Sequence, residues 1–216
     1  MGKVLLFDGN SILNRAFYGI KGLSTHDGLP TNAVYGFINI LNKNFAAAPD
    51  AAYAAVAFDL PAPTFRHELT ETYKANRKGM PDELAAQLPF AKEVSAAMGL
   101  AVVECAGYEA DDILGTLSRA AVEQGLDAIL VTGDRDSFQL VDAHTTVWLA
   151  ATNETRVVDA DAVRAQYGVA PAQMIDVKAI MGDSSDNIAG VPGIGEKGAT
   201  ALIGAYGDLD GVYAHI

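Results

Sequence analysis

An α/β fold, with a mainly parallel sheet flanked by helices and a small helical module at the C-terminal end, is what this sequence predicts. Three observations carry that expectation. Short apolar runs alternate with longer amphipathic ones, the pattern of strand, helix, strand units. Carboxylates stand just past several of the short runs, in VLLFDG, AAVAFD and LVTGDRD. Beyond residue 181 the composition turns to glycine, in GDSSDNIAGVPGIGEKGATALIGAYG, and the alternation stops.

The elements follow in order. Residues 4–8 read as a buried strand, followed by a helix from about Ser11, whose hydroxyl is the candidate N-cap. Thr31 is the candidate cap of the next helix, in which Val34, Phe37, Ile38, Leu41 and Phe45 recur at helical spacing and are expected in the core. Residues 52–58 form a second buried strand. Residues 60–80, with Pro61, Pro63 and Gly79, lack clean periodicity, and irregular stretches of that length in compact domains tend to be functional. A helix is predicted over 82–98, a strand over 100–104, a helix over 109–124 with Ile113, Leu114, Leu117 and Ala121 toward the sheet, and a strand over 128–131. Weaker strands at 146–149 and 156–158 and helices near 160–167 and 172–181 complete the series, which divides the chain into residues 1–170 and 171–216.

With 216 residues, half of them hydrophobic, the chain buries a substantial core. No apolar run approaches the ~20 residues that cross a bilayer, the apolar start is too short for a signal peptide, and Leu6 breaks the myristoylation pattern that Gly2 suggests. Cys105 is the single cysteine, which excludes an internal disulfide and a cysteine-rich zinc site and makes a cytoplasmic, reducing location the expectation. The net charge of −12 argues against a polyanionic partner until the distribution is considered. Much of the negative excess lies in five short motifs, and Lys74, Arg77 and Lys78, near Arg66 and His67, form a local basic patch.

Those motifs supply Asp8, Asp59, Glu109, Asp111, Asp112, Asp134, Asp136, Asp183 and Asp186. Any one of them is more commonly a helix cap or turn former. Nine delivered by separate elements point to a shared metal site, because parallel strands end on one edge of a sheet and hard cations such as Mg2+ or Mn2+ take oxygen ligands, commonly as a pair in phosphoryl chemistry. In GYEADD, Glu109 and Asp112 lie three apart on one helical face with Asp111 beside them, a repulsion that a cation relieves.

Between two helix-like segments lies GVPGIGEK, with Gly190, Gly193 and Gly195 giving tight backbone geometry and Lys197 opening the second helix. This is a helix-hairpin-helix signature, whose free amides meet the phosphate backbone of DNA rather than its bases. A plain glycine-rich turn is the alternative. No strand precedes the glycines as a dinucleotide fingerprint needs, and GxxxxGK[ST] is absent.

Taken in order, LLFDGNSILNRAFYG, FDLPAPTFRHELTETYKANR, GYEADD, TGDRDSFQL and GDSSDNIAGVPGIGEKGA resemble the 5′ nuclease domain at the N-terminus of bacterial DNA polymerase I, within the flap endonuclease family. The resemblance implies a PIN-like core and a metal-filled cleft beneath an arch, about residues 60–81. It implies two Mg2+ or Mn2+ ions held by the nine acids, and K+ at the hairpin carbonyls. Lys74 and Arg77 match arch residues that contact the scissile phosphate, with Arg66 and Tyr73 beside them and Arg15 on the first helix as DNA contacts. The implied activity is two-metal hydrolysis of 5′ flaps, nicked or primer-template duplex and RNA primers by a monomer associated with the nucleoid. Further helices and a polymerase domain are expected on the full-length chain, of which these residues are a part. The alternatives are a catalytically silent DNA-binding fragment, a PIN-like ribonuclease, which lacks the hairpin, and a metal-free acidic protein.

Overall fold

The computed structural model describes residues 2–150 and 155–216. Strands β1 (Gly2–Asp8), β2 (Ala51–Ala57), β3 (Ala101–Val103), β4 (Leu126–Thr132), β5 (Thr145–Ala150) and β6 (Thr155–Val158) form one sheet in the order β3-β2-β1-β4-β5-β6. All pairings are parallel except β5 with β6. The chain leaves β1 toward β2 on one side and later returns to β4 on the other. The strand order therefore reverses beside β1, the place where open α/β sheets leave a crevice at their C-terminal edge.

Alternate residues of the central strands face opposite layers. Leu5, Phe7, Val56, Ile129 and Val131 pack under α1 (Gly9–Gly19), α2 (Asn32–Ala47) and α5 (Leu88–Ala97). Val4, Leu6, Ala57 and Leu130 pack under α6 (Ala110–Glu123), α7 (Ala160–Tyr167), α8 (Met174–Met181) and α9 (Glu196–Tyr206). The short helices α3 (Phe65–Leu69), α4 (Asp82–Ala85) and α10 (Leu209–Tyr213) lie at the surface or in connections. Val177 and Ile180 of α8 and Ala199 and Ile203 of α9 belong to the same apolar cluster as the sheet residues. Among the described residues no helix is long and apolar enough to cross a membrane.

Four local expectations are corrected. The cap of α1 is Asp8, whose carboxylate accepts the Ser11 amide at 2.9 Å; the Ser11 hydroxyl accepts instead from the Gly133 amide at 2.9 Å. Thr31 stands at the N-cap of α2 without a side-chain bond, and the buried Gln87 does the work from outside, accepting from the Ala33 and Val34 amides at 2.8 and 3.2 Å. On α2 the fully buried face runs through Ala33, Phe37, Ile40 and Leu41, leaving Val34, Ile38 and Phe45 partly covered. The helix expected over 82–98 breaks after Ala85, because Pro89 has no amide hydrogen and its ring excludes a continuous helix; it opens α5 as an early residue, where it is tolerated.

Candidate active site

At the sheet's C-terminal edge each carboxylate is placed by backbone that the fold already needs. Asp8, the last residue of β1, is 4% exposed, and its second oxygen accepts from the Thr132 hydroxyl at 2.7 Å, tying the ends of β1 and β4 together. Asp59 follows β2; its amide donates to the Asn10 side chain at 3.2 Å and its carboxylate accepts from the Ala110 amide, at the start of α6, at 2.6 Å. Asp134 follows β4 and accepts the Asp136 amide at 2.9 Å. Asp183 and Asp186 lie on the loop after α8, where Asp183 accepts from the Ser185 amide at 2.8 Å and hydroxyl at 2.6 Å.

Eight of the nine acids (Asp8, Asp59, Glu109, Asp111, Asp134, Asp136, Asp183 and Asp186) line one cavity of about 870 Å³. The ninth does not. Asp112 is held in a two-pronged bond by Arg66, at 2.7 and 2.8 Å, and accepts the Glu109 amide at 3.0 Å. The helical spacing that joins Glu109 and Asp112 in sequence thus serves a capping pair and a guanidinium fork. Its partner Arg66 is correspondingly engaged by protein rather than open to a phosphate. Lys cannot reproduce that fork. Arg66→Lys is expected to lower stability by about 1 kcal/mol, a modest figure for a partly exposed pair, and to speed proteolysis of residues 60–81, both readable from urea melts and limited digestion.

Electrostatics divides the cluster. Burial, then the neighbouring Asp8, Asp134, Asp59 and Asp136, push the Asp111 carboxyl up to about 8. Burial, with Asp59 and Asp134, pushes Asp8 up to about 6 against the hydrogen bonds from Ser11 and Thr132. Burial also raises Asp136, outweighing its bond to Lys178. Asp183 goes the other way: burial opposes its charge, yet the bonds from Lys178 and Ser185 hold it well below the usual carboxylate range. Lys178 is the residue that sequence reasoning missed; its ammonium bridges Asp136 and Asp183 at 2.7 Å each. The available signal was the one cation in the largely apolar run VKAIM, five residues before Asp183.

Residues 60–81 lean over the cavity and are pinned to the loop after α8. The Lys74 amide donates to the Asp186 carbonyl at 2.9 Å, Asn76 Nδ2 to Ser184 at 2.7 Å and Asn187 Nδ2 to Thr72 at 2.7 Å. Lys74 and Asn187 take positive φ, 56° and 57°, rare for residues with a side chain. Lys74 Nζ pairs with Glu109 at 2.8 Å and Arg77 pairs with Asp186. Tyr73 is buried with its hydroxyl 3.0 Å from Glu109 and 3.1 Å from Asp186; one proton serves both carboxylates, and burial together with their charge holds the phenol far above its ordinary pKa. Arg15 is exposed on α1 and donates to the Gly133 carbonyl at 3.1 Å.

In the hairpin, Gly190 lies against Gly182: a Cβ at residue 190 would stand 2.2 Å from the Met181 carbonyl carbon. Gly193 has φ +83°, and Gly195 caps α9 in extended conformation without a side-chain bond, leaving the first amides of that helix unclaimed by a cap. Lys197 is exposed on the first turn.

Comparison with known proteins identifies the family and the fold. Family models for the 5′-3′ exonuclease N-terminal resolvase-like domain and C-terminal SAM fold match residues 3–168 and 169–216. The chain is 43% identical over 219 residues to DNA polymerase I of Caldicellulosiruptor bescii, covering 99% of this chain and 26% of that protein. It is 40% identical over 215 residues to the thermostable DNA polymerase I of Thermus thermophilus, covering 100% and 25%. The chain therefore spans about a quarter of the length of these curated relatives. Among solved structures, T5 5′-exonuclease with bound zinc superposes with TM-score 0.80 at 22% identity, over 99% of this chain and 79% of that one. The catalytic core of Rad2 in complex with a DNA substrate gives 0.59 at 18%, over 97% and 63%. These likenesses match the mainly parallel sheet and helical C-terminal module expected of the sequence. On the two family models and the identity to the polymerase relatives, the chain belongs to the 5′-3′ exonuclease family.

Proposed function

We propose that this chain is a structure-specific, divalent-metal-dependent 5′ nuclease that cleaves 5′ flaps, nicked duplexes and RNA primers on DNA. The observation that carries the proposal is the convergence of eight carboxylates from five separated segments on one cavity. Among the described residues no three such side chains are drawn close enough to hold an ion as they stand. The fit rests on donor chemistry and on the buried Asp111 Oδ1, which has no hydrogen-bond partner while burial, and then the neighbouring carboxylates, push its carboxyl toward the protonated form. An oxygen-only set of this kind suits Mg2+ or Mn2+. The eight carboxylates that line the cavity would together hold the metal centre. Bound there, two divalent ions supply activation of water near neutral pH and neutralisation of charge on the phosphate oxygens.

The protein's own residues do the rest. Lys74 and Arg77, on the cavity wall, would meet the scissile phosphate, Arg77 with a fork that matches two oxygens. The uncapped start of α9, with Lys197, grips the backbone of the duplex and sets where the 5′ strand enters. K+ at the hairpin and an adjoining polymerase portion in the parent protein belong to the same proposal, the latter resting on the relatives' greater length.

A silent DNA-binding role is the second reading, favoured by the pairing of Lys74 and Arg77 with Glu109 and Asp186. A 5′-labelled flap incubated with Mg2+, with EDTA, and with Mg2+ and the Asp134→Ala variant separates the two. Cleavage is expected only in the first, with the variant slower by at least ~10²-fold. Equal cleavage in all three would remove the metal site, and binding without turnover in either Mg2+ or Mn2+ would leave the silent role.

A further inference from the structure

Helix α1 carries a stripe that starts at Asn10, which holds the Asp59 amide, and runs outward beyond the metal site. Asn10, Asn14 and Tyr18 recur every four residues on one helical face and all line the acidic cavity, so this stripe leads outward from it. A second groove, about 460 Å³, continues along the same helix between Ser11, Asn14, Arg15, Tyr18 and Gly19. Tyr18 and Asn14 border both spaces. Arg15 is the groove's charged residue, with one guanidinium nitrogen bonded to the Gly133 carbonyl at 3.1 Å, which fixes the side chain while leaving further N–H groups to donate. Tyr18 is 64% exposed; Phe17 meets its ring edge-on at 5.1 Å, and Gly19 beside it adds no side chain.

A flat, well-exposed ring at the end of a polar track, next to a fixed cation and continuous with a phosphate-handling cavity, fits one class of occupant. We propose that Tyr18 stacks on a nucleobase of the DNA strand that leaves the cavity along α1, while Arg15 contacts a phosphate of the same strand. The inference rests on the nuclease reading above and deepens it by naming a base contact. Ring stacking is tolerant of base identity, as an enzyme that recognises structure rather than sequence requires. From Asp8 to Tyr18 the helix rises about 15 Å, about four stacked nucleotides at 3.4 Å each, so the contacted base lies near that distance from the cleaved bond.

The test uses the whole chain with flap substrates carrying 2-aminopurine at successive positions about two to six nucleotides from the cleavage point, in EDTA so that binding is read without turnover. Wild type is expected to quench one position, Tyr18→Phe to keep the quench, and Tyr18→Ala and Tyr18→Leu to lose it and bind about tenfold more weakly. Replacing that nucleotide by an abasic one should erase the difference between wild type and Tyr18→Ala. Because the ring is exposed, thermal melts of the variants should match wild type. Equal quenching by Tyr18→Leu, or equal affinity of Tyr18→Ala on the intact strand, would overturn the stacking contact while wild-type cleavage of the flap leaves the nuclease reading standing. Failure of wild type to bind or cleave any flap would overturn both.

Discussion

Replacing Asp111 by Asn is expected to stabilise the protein in EDTA and to abolish its cleavage of flap substrates. Asp111 is nearly buried, its Oδ1 has no partner, and the groups around it are Asp8, Asp134, Asp59 and Asp136. A carboxyl whose folded pKa, about 8, stands above its ordinary 3.8 binds its proton more tightly in the folded than in the unfolded chain. Stability therefore falls as pH rises from about 4 to about 8, and an amide of the same shape removes that loss. The gain at pH 7.5 should be about 1 to 3 kcal/mol, or several degrees in Tm for a chain of this size. Below about pH 4, where the carboxyl is protonated in the folded and the unfolded chain alike, the two melts should converge. Added Mn2+ should raise the wild-type Tm and raise the variant's less, since a cation is what resolves the repulsion. Cleavage should drop by at least ~10²-fold. A variant with an unchanged melt and full activity would show that Asp111 lies outside the working cluster.

The second large effect is expected at Gly190. An added Cβ meets Met181 C at 2.2 Å, Met181 O at 2.3 Å and Gly182 N at 2.5 Å, all of them backbone atoms that have no rotamer to change. The approach is held from both sides by the Val191 amide donating to the Ile180 carbonyl at 2.7 Å and by the paired Asp183 and Ile188. Gly190→Ala should lower stability by about 3 kcal/mol or more, because overpacking against rigid backbone has no inexpensive relaxation. It should also displace Asp183 and Asp186, which ride on the same loop, so that cleavage falls with stability. Gly195→Ala is the control: nothing lies within 4 Å of the added carbon, and its melt should stay within about 0.5 kcal/mol of wild type. Urea titration of the three proteins, with proteolytic mapping of residues 182–195, distinguishes a local clash from a general sensitivity of the hairpin.

The alternation of apolar runs was enough to place all six strands within a few residues, because a buried parallel strand leaves a dense local signal. The helix starting near Glu109 and the one over 160–167 were equally plain. Clustering of the acids was legible for a topological reason: side chains at the ends of neighbouring parallel strands have few places to go. What sequence could not convey was which acid faces which cation. Asp112 and Asp111 are adjacent and chemically alike, yet one is claimed by Arg66, 46 residues away, and the other is left without a partner. Lys178 was overlooked because its helix reads as core, and its two carboxylate partners come from different loops. The break at Pro89 is readable from the proline itself. Capping by Gln87 is not, since it joins residues more than fifty positions apart.

The seating of Lys74 on Glu109 and Arg77 on Asp186 has a consequence for traffic at the cavity mouth. Both cations already rest on the protein's own anions, so under the proposed function an arriving nucleic acid would have to displace one negative partner with another. Such an exchange gains little by itself, which makes stray polyanions poor tenants. On the proposed function, only a strand that arrives where divalent ions occupy the vacated carboxylates would leave every charge matched, so the two ion pairs would act as a filter on entry.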